Sequence, residues 1–393
     1  MQNPKRVLIT GAAGLLGRHA QMVFASQNGA ARFNQETDTW KVTTLNRDEY
    51  NEQEFAVEAL AGIDLILHFA GINRASDEEV ELGNIEIAEK LVSYLRQSSS
   101  KAHVIYANSI QSERDNPYGR GKSKAAEVLT NHARESETLF SNVSLPHVFG
   151  EGGIPFYNTV TSTLCHQIHS KEAPTISEGA EVELIHAGQV VDEMITMFEE
   201  GHEGLIRLTG EKISVQRLYE KLSDFKTIRS RDEFPPVVSK FDVALFQTLQ
   251  NAGFPQTFVT KLKQNEDERG SLFETARGGA GGQTFLSWTH PGVERGNHFH
   301  RYKIERFVVV SGDATIKIRH VLDNTVHVFQ VNGENPVAID MPALHSHSII
   351  NTGDKPLLTM FWAHEIFDPN NPDTWFCPVS IEGSNELVHN LDS

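Results

Sequence analysis

A glycine-rich turn near the start of the chain constrains the fold more than any other feature. Gly11, Gly14 and Gly17 follow a short apolar run at residues 6–10 and precede a helical pattern that begins at Leu15. Glycines between a strand and a helix let the backbone approach a pyrophosphate at the helix N-terminus, and the last of them allows close helix-to-strand packing. Apolar runs and helical patterns alternate to about residue 150. We therefore predict an α/β fold, with a Rossmann-like, doubly wound parallel sheet.

The sequence changes in character near residue 256. From there to about residue 363, short apolar runs follow one another closely and are separated by turns rich in glycine and proline. Closely spaced short strands are typical of all-β barrels and sandwiches. A length of 393 residues also exceeds what one hydrophobic core usually serves. We predict two domains, residues 1–245 and residues 246–393, of which the second is an all-β barrel.

The charge of the chain limits its partners. It carries 52 Asp and Glu against 35 Lys and Arg, a net charge of −17. This field repels phosphodiester backbones and anionic membranes, so neither nucleic acid nor membrane is expected as a partner, although local basic pockets can still bind nucleotides. The sequence also lacks an apolar run of the roughly 18 residues that a membrane span needs, and it shows no signal-peptide pattern. We expect a cytoplasmic protein.

The end of the second predicted strand bears on the choice of dinucleotide. A carboxylate there would hold a ribose 2′-hydroxyl, whereas an arginine can pair with a 2′-phosphate. The strand at residues 41–45 is followed by Asn46, Arg47 and Asp48. Arg47 therefore favours NADPH. Asp48, one position later, leaves open the alternative that Arg47 is a solvated surface charge.

Tyr118 and Lys122 are spaced so that a helix places both side chains on one face. The ammonium group can lower the pKa of the phenol and hold a nicotinamide ribose, so that the tyrosine exchanges a proton with a carbonyl near neutral pH. Ser109, just after the predicted strand at residues 104–107, offers a hydroxyl to the same carbonyl, and Ser112 is a second candidate. Together with the glycine turn, these residues make the spacing a specific signal for proton exchange at a carbonyl.

Residues of the C-terminal third have the spacing of a metal site. His298 and His300 are two positions apart, so a strand would point both to one face, and closure of a barrel can bring Glu305 and His347 to the same interior point. Three imidazoles and one carboxylate suit Zn²⁺, Fe²⁺, Ni²⁺ or Mn²⁺. The pattern predicts a divalent metal site, and it leaves open whether the ion is catalytic or structural.

In this context Ser109, Tyr118 and Lys122 resemble the triad of the extended short-chain dehydrogenase/reductase family. Three segments are similar, more closely, to the CapF-type bifunctional nucleotide-sugar reductases of capsule and O-antigen synthesis: residues 68–74, 115–119 and 145–150. Those enzymes fuse such a reductase to a cupin domain, and the histidine and glutamate spacing of the C-terminal third is similar to the two-part cupin motif. The resemblance runs from about residue 5 to about residue 380.

The resemblance implies a bifunctional enzyme on the route to UDP-N-acetyl-L-fucosamine. The cupin domain would epimerise carbon 3 of a UDP-2-acetamido-2,6-dideoxy-4-hexulose, and the reductase domain would then reduce the carbon 4 ketone with NADPH. A homodimer is also implied, as is a metal ion, with zinc the first expectation. Two alternatives stay open: a 4-keto-sugar reductase whose cupin domain only dimerises or senses substrate, and a regulator that senses nucleotides without turnover.

The same resemblance adds site residues. The cofactor site would include Leu15, Leu16, Ala70 and Gly71, and the substrate site Asn73 and Arg74. Segments around Arg269 and Arg295 also resemble metal-free 4-keto-hexose epimerases, whose arginines meet the substrate and whose histidine, here His298, accepts a proton. Both arginines can alternatively be structural ion-pair partners. We assign His298 to the metal because its ligand partners are present, and Lys303, with Tyr302, is then the candidate for proton transfer.

Overall fold

A computed structural model describes residues 3–268, 270–279 and 281–391. The chain forms two units, of which the first comprises Met1–Thr163 and Ile176–Val215 and the second Leu164–Thr175 and Gln216–Ser393. The units thus divide after Val215 and not at residue 245. Residues 216–245 pack within the second unit, where the nearly buried guanidinium of Arg229 lies 2.7 Å from the carboxylate of Asp340.

The first unit is built from alternating strands and helices. Its strands are β1 Lys5–Thr10, β2 Trp40–Leu45, β3 Leu65–His68, β4 His103–Ser109, β5 Phe140–Leu145, β6 His147–Phe149, β7 Glu181–His186, β8 Gly204–Arg207 and β9 Glu211–Ser214. Its helices are α1 Leu15–Phe33, α2 Arg47–Asn51, α3 Gln53–Ala59, α4 Asp77–Ser98, α5 Pro117–Ser136 and α7 Ala187–Glu200, with a short 3₁₀ turn at Ile110–Glu113. Helix α6, Val160–Ser170, carries the chain from the first unit into the second.

Six parallel strands form the main sheet of this unit, in the order β2-β1-β3-β4-β5-β8. Along β1, Val7 and Ile9 face the core that α1 and α7 build, whereas Leu8 faces the core of α4 and α5. Helices therefore cover both faces, and the predicted Rossmann-like parallel sheet is confirmed. The strand order reverses between β1 and β3, and ligands of such sheets bind at the carboxyl ends of the strands at this switch point.

The second unit begins with helices and continues with strands. The helices are α8 Val215–Arg229 and α9 Lys240–Asn251, with a 3₁₀ turn at Gln256–Phe258. The strands are β10 Glu233–Phe234, β11 Val259–Lys261, β12 Asn265–Asp267, β13 Gly270–Leu272, β14 Arg277–Gly278, β15 Gln283–Thr289, β16 Glu294–Phe299, β17 Glu305–Ser311, β18 Asp313–His320, β19 Thr325–Asn332, β20 Val337–Met341, β21 His345–Asn351, β22 Leu357–Ala363, β23 Trp375–Phe376 and β24 Asn385–His389. Across the described parts of both units, the helices are too short or too polar to cross a membrane.

Two mostly antiparallel sheets make up the body of the second unit. Their strand orders are β11-β20-β17-β22-β15 and β23-β16-β21-β18-β19-β24. Phe307 and Phe361 from the first sheet share one buried apolar core with Ile316 and Phe329 from the second. The predicted β domain of closely spaced strands is confirmed, and its assignment as a cupin barrel stays a prediction.

Candidate active site and metal centre

The glycine turn after β1 is too crowded for side chains at Gly11 and Gly17. Gly11 has φ +67°, and a Cβ added there would lie 2.7 Å from the backbone nitrogen of Ala70. A Cβ on Gly17 would lie 2.4 Å from the carbonyl oxygen of Gly11. Helix α1 starts at Leu15, directly followed by Leu16, and its first turn has no acidic residue, so its free N–H groups can receive an anion. The turn therefore fits a dinucleotide pyrophosphate.

The loop after β3 forms the other side of this turn. The N–H of Ala70 donates to the Thr10 hydroxyl over 3.3 Å, and that hydroxyl lies 2.8 Å from Nδ1 of the buried His68. A Cβ on Gly71 would lie 2.9 Å from Oδ1 of Asn84, so this position is also crowded. The two predicted cofactor segments, around Gly11 and around Ala70, are thus brought together at the carboxyl ends of β1 and β3.

Ser109, Tyr118 and Lys122 come together at the end of β4 and the start of α5. Burial raises the pKa of Tyr118, and a hydrogen bond with the Ser109 hydroxyl opposes that shift without cancelling it. Lys122 is buried, donates to the carbonyl oxygen of Ala107 over 2.7 Å, and has its pKa lowered by burial to about 7. The sequence predicted that Lys122 would lower the pKa of Tyr118. The structure instead gives a phenol that stays protonated at neutral pH and can donate its proton.

The second candidate hydroxyl, Ser112, is engaged elsewhere. Its Oγ donates to the carbonyl oxygen of Ser109 over 2.7 Å within the 3₁₀ turn. The backbone of Ser109 is also held in place, because its N–H donates to Oδ1 of Asn108 over 2.8 Å. Ser109 acts on the pKa of the Tyr118 phenol, whereas Ser112 is bonded to a backbone carbonyl, so the arrangement favours Ser109 over Ser112 as the catalytic hydroxyl.

Four side chains of the second unit converge on one point, and we call them the His298 cluster: His298, His300, Glu305 and His347. Their ligand atoms all lie within 4.8 Å of one another. Oε2 of Glu305 is 3.0 Å from Nε2 of His300 and 3.8 Å from Nε2 of His347. His298 on β16 pairs directly with His347 on β21, after a β-bulge at Gly296 that shifts the register. His300 follows the end of β16, and Glu305 opens β17.

The hydrogen bonds of these histidines decide which ring nitrogen is free. Nδ1 of His300 donates to the carbonyl oxygen of Asp373, and Nδ1 of His347 donates to that of His345 over 3.1 Å. Because a carbonyl only accepts, each ring in its neutral form has its lone pair on Nε2. Among the described residues, neither buried Nε2 has a hydrogen-bond partner. Orphaned nitrogens beside a carboxylate, oriented by backbone carbonyls, fit a metal ion such as zinc.

The electrostatics agree with a bound cation. Burial, followed by the neighbouring His300, lowers the pKa of His298 to about 4, and burial holds the pKa of His347 well below its usual value. At His300 burial would lower the pKa, but Glu305 outweighs it and raises the pKa. Two neutral imidazoles therefore surround a point where Glu305 favours positive charge.

Comparisons with known proteins cover both units. Residues 7–208 match the NAD dependent epimerase/dehydratase family, and residues 265–375 match the polysaccharide biosynthesis C-terminal domain. A Pseudomonas aeruginosa protein named UDP-2-acetamido-2,6-beta-L-arabino-hexul-4-ose reductase is 31% identical over 381 residues, or 95% of this chain and 99% of that protein. The crystal structure of the capsular polysaccharide assembling protein CapF from Staphylococcus aureus is 30% identical, with 95% of this chain and 100% of that chain covered and a TM-score of 0.59.

The chain belongs to the CapF family. The predicted resemblance is thereby confirmed, and the first unit places the chain in the NAD dependent epimerase/dehydratase family as well. A shorter relationship covers part of the chain: the spore coat polysaccharide biosynthesis protein SpsL of Bacillus subtilis is 23% identical over 125 residues, or 29% of this chain and 83% of that protein.

Other predicted residues of this CapF family member lie at the surface of the first unit. Arg47 is exposed and is the first residue of α2, whose N-terminus is capped by the Asn46 side chain, so the preference for NADPH stays a prediction. Asn73 and Arg74 are exposed in the loop between β3 and α4, and Nη1 of Arg74 donates to the carbonyl oxygen of Phe156.

The remaining predicted residues lie in the C-terminal third of the chain. Arg269 lies outside the described residues. Arg295 is on β16, where Nε donates to the Thr289 hydroxyl over 3.0 Å, a neutral partner in place of the carboxylate that an ion pair needs. Nζ of the buried Lys303 donates to the carbonyl oxygen of Pro372 over 2.6 Å. This ammonium is thus held beside the His298 cluster by the segment that precedes β23.

Sequence reasoning missed a second buried group, which we call the Glu151 cluster: His19, Glu151 and His186. Their ligand atoms also lie within 4.8 Å of one another. Nε2 of His186 donates to Oε2 of Glu151 over 2.9 Å, and Nε2 of His19 lies 3.0 Å from the carbonyl oxygen of Glu151. Burial would raise the pKa of Glu151, but His186 and His19 outweigh it and lower the pKa. No local spacing indicated the cluster, since 132 positions separate His19 from Glu151.

Proposed function

We propose that this chain is a bifunctional nucleotide-sugar enzyme. The second unit, a cupin, epimerises carbon 3 of a UDP-2-acetamido-2,6-dideoxy-4-hexulose, and the first unit then reduces the carbon 4 ketone with NADPH. The observation that carries the proposal is the placement of Ser109, at the end of β4, and of Tyr118 and Lys122, at the start of α5, at the sheet edge that also holds the glycine turn. The reductase name of the Pseudomonas aeruginosa relative supports the same reaction class.

In the reductase half-reaction, bound NADPH supplies a hydride to carbon 4. Tyr118 donates its phenol proton to the carbon 4 oxygen, and Ser109 donates a hydrogen bond to that oxygen as negative charge develops. Burial keeps the pKa of Tyr118 above its usual value, so the proton is present at neutral pH. Lys122, with its pKa lowered to about 7, is close to losing its own proton and can pass it towards the phenol after turnover.

In the epimerase half-reaction, a divalent ion in the His298 cluster supplies Lewis-acid polarisation of a carbonyl. His298, His300 and His347 would hold it through nitrogen and Glu305 through oxygen. A ketone at carbon 4 acidifies the C–H at carbon 3, so epimerisation at carbon 3 must precede the reduction that removes this ketone. Lys303, held beside the cluster by Pro372, is the candidate to move the carbon 3 proton.

Turnover in deuterated water tests the proposal. The full-length protein, NADPH and the keto sugar are incubated, and mass spectrometry measures reduction and deuterium at carbon 3. Deuterium together with reduction supports two activities. Reduction alone supports the rival reductase with a non-catalytic cupin domain, and the absence of product supports a nucleotide-sensing regulator.

Tyr118→Phe is the matched variant, because it keeps the ring and removes the proton donor. Reduction should fall by roughly 10²–10⁴-fold, the usual range for general acid catalysis, while deuterium exchange at carbon 3 survives. Loss of exchange as well would show that the two half-reactions share a site.

The cofactor assignment is tested separately at Arg47. If its guanidinium meets the 2′-phosphate, Arg47→Ala should weaken NADPH binding by about 1.5–3 kcal/mol, the range for a charge-assisted hydrogen bond, with little effect on NADH. Lys41→Ala, at an exposed position on the neighbouring strand β2, is the control for loss of a surface charge. Equal losses for both cofactors would contradict the assignment.

A further inference from the structure

A short loop joins two members of the His298 cluster, and its backbone is held by one carboxylate. The loop, residues 301–304, runs from His300 to Glu305. The N–H groups of its first three residues all donate to the Asp373 side chain: Arg301 over 2.9 Å, Tyr302 over 2.7 Å and Lys303 over 2.7 Å. Three consecutive amides converging on one carboxylate fix the path of the loop, as a nest of backbone donors does around an anion.

The backbone of the same residue contacts the cluster directly. The carbonyl oxygen of Asp373 accepts the hydrogen of His300 Nδ1, and this bond leaves the lone pair of that ring on Nε2. The side chain is itself anchored, because Nε1 of Trp375 donates to its Oδ1 over 2.9 Å. Trp375 belongs to β23, which pairs with β16 next to His298. Asp373 thus connects β23, the strand that pairs with β16 next to His298, to the ring of His300.

The backbone conformation of Asp373 is unusual. It has φ +39°, in the left-handed region that most residues with a Cβ avoid and that Asp and Asn tolerate best. In this conformation the side chain of Asp373 meets the loop while its carbonyl meets the His300 ring. The side chain is also buried, so its charge is balanced by the hydrogen bonds described above.

We propose that Asp373 is a positioning residue of the metal centre, whose carboxylate fixes the loop between His300 and Glu305 while its carbonyl orients the His300 ring. The role rests on the proposed metal site of the His298 cluster. Groups that orient metal ligands through such contacts set metal affinity without touching the ion.

Two substitutions separate the carboxylate from the backbone. Asp373→Gly keeps the carbonyl and adopts a positive φ without strain, so it removes the side chain alone. Asp373→Asn keeps the shape of the side chain but replaces one carboxylate oxygen with an NH₂ group. That group donates, whereas the backbone N–H groups of the loop need an acceptor. Trp375→Phe is a milder change that removes one donor to the carboxylate. Ile316→Val removes one methylene group from the core of the same unit and serves as the control for lowered stability.

The measurement uses the full-length protein, stripped of metal and titrated with Zn²⁺ against a chromogenic chelator, and with Co²⁺ followed by visible absorption. We expect both Asp373 variants to bind Zn²⁺ about 10–100-fold more weakly and to change the Co²⁺ spectrum, which reports ligand geometry. Trp375→Phe should shift both readouts in the same direction by less. Ile316→Val should leave the Co²⁺ spectrum as it is in the unchanged protein.

The two ways of failing are distinguishable. The positioning role is wrong if the folded Asp373 variants keep the zinc affinity and the Co²⁺ spectrum of the unchanged protein. If those variants do not fold, the same result in Trp375→Phe decides. Either result leaves the proposed metal centre unaffected. If the unchanged protein binds neither ion more tightly than His300→Gln does, the metal centre itself is wrong, and the role of Asp373 falls with it.

Discussion

Each unit of this chain buries a group of histidines around one glutamate, and the two groups differ in where the ring hydrogens lie. In the His298 cluster, Nδ1 of His300 donates to a backbone carbonyl, so the neutral ring has its lone pair on Nε2, which faces Glu305. In the Glu151 cluster, Nδ1 of His186 accepts the N–H of Gly188, so Nε2 carries the hydrogen and donates it to Glu151. The first arrangement is open to a cation, whereas the second is already satisfied.

The comparison teaches that residue types and proximity do not distinguish a metal centre from a hydrogen-bond network. Both clusters offer nitrogen and oxygen atoms within 4.8 Å of one another. The distinction lies in the backbone group that faces the far ring nitrogen, a carbonyl in one cluster and an amide at the start of α7 in the other. A metal at His186 would need its Nε2 lone pair and would have to break the bond that caps that helix.

The largest expected effect is stabilisation by metal, and it should appear in one unit only. Zinc at 1,000 times its dissociation constant should stabilise the second unit by about 4 kcal/mol, because it binds the folded form alone. Amide hydrogen exchange, with and without a chelator, measures this in β21 and β1 separately. A matching gain in β1 would show that the Glu151 cluster also binds the ion.

Removal of one metal ligand should give the next largest effect, a loss of zinc affinity. His300→Gln should weaken zinc binding by about 100-fold or more, at least the upper end of the loss expected for a group that only orients a ligand. His186→Gln, the same change in the Glu151 cluster, should leave zinc affinity and stoichiometry unchanged. Competition titration measures both, and a lower stoichiometry in His186→Gln would contradict the comparison.

The Glu151 cluster should matter for stability and its pH dependence. Glu151→Gln should destabilise the first unit at pH 7 by about 1.5–3 kcal/mol, because a buried charge-assisted bond to His186 is lost. The pKa of Glu151 is lowered in the folded state, so its contribution is present above the usual carboxyl pKa of 4.5 and is lost as the pH falls below that value. Denaturant unfolding should therefore show a difference between the two proteins that shrinks from pH 7 to pH 4. A difference independent of pH would contradict the role of the charge.

Lys122 gives the smallest effect, and it appears at a higher pH than that of Glu151. Its ammonium faces a neutral carbonyl and an aromatic ring, so burial is not compensated and the pKa falls to about 7, against 10.5 in the unfolded chain. The unfolded state then binds more protons, and the stability of the first unit should rise by about 1 kcal/mol between pH 7 and pH 8. Lys122→Met should remove that rise in urea unfolding, and Lys124→Met, at an exposed position of the same helix, should keep it.

Features that rest on spacing within one element could be predicted from the sequence. The glycine turn, the pair Tyr118 and Lys122 on α5, and the pair His298 and His300 each need only the geometry of a single strand or helix. The amphipathic pattern of residues 241–251 also indicates a helix, and α9 spans Lys240–Asn251. Local periodicity carries this information because side-chain direction repeats within an element.

Features that join distant segments could not be predicted in this way. The Glu151 cluster takes its members from α1, from the turn after β6 and from the end of β7. Asp373 acts on a loop some 70 positions earlier in the chain. The division of the units was missed for the same reason, because the guanidinium of Arg229 pairs with Asp340 across 111 positions. The tautomer of a histidine ring depends on hydrogen-bond partners from distant segments, so it can be assigned only from the folded structure.

The path of the chain between the units has a consequence for its synthesis and for any attempt to divide it. Residues 164–175 belong to the second unit, yet residues 176–215 return to the first. His169 in residues 164–175 bonds the carbonyl oxygen of Leu249 over 2.8 Å. During synthesis, residues 164–175 therefore cannot reach their final packing until α9 has been made. No single cleavage therefore releases both units whole. A cut after Val215 would strip the second unit of residues 164–175, including the buried Cys165.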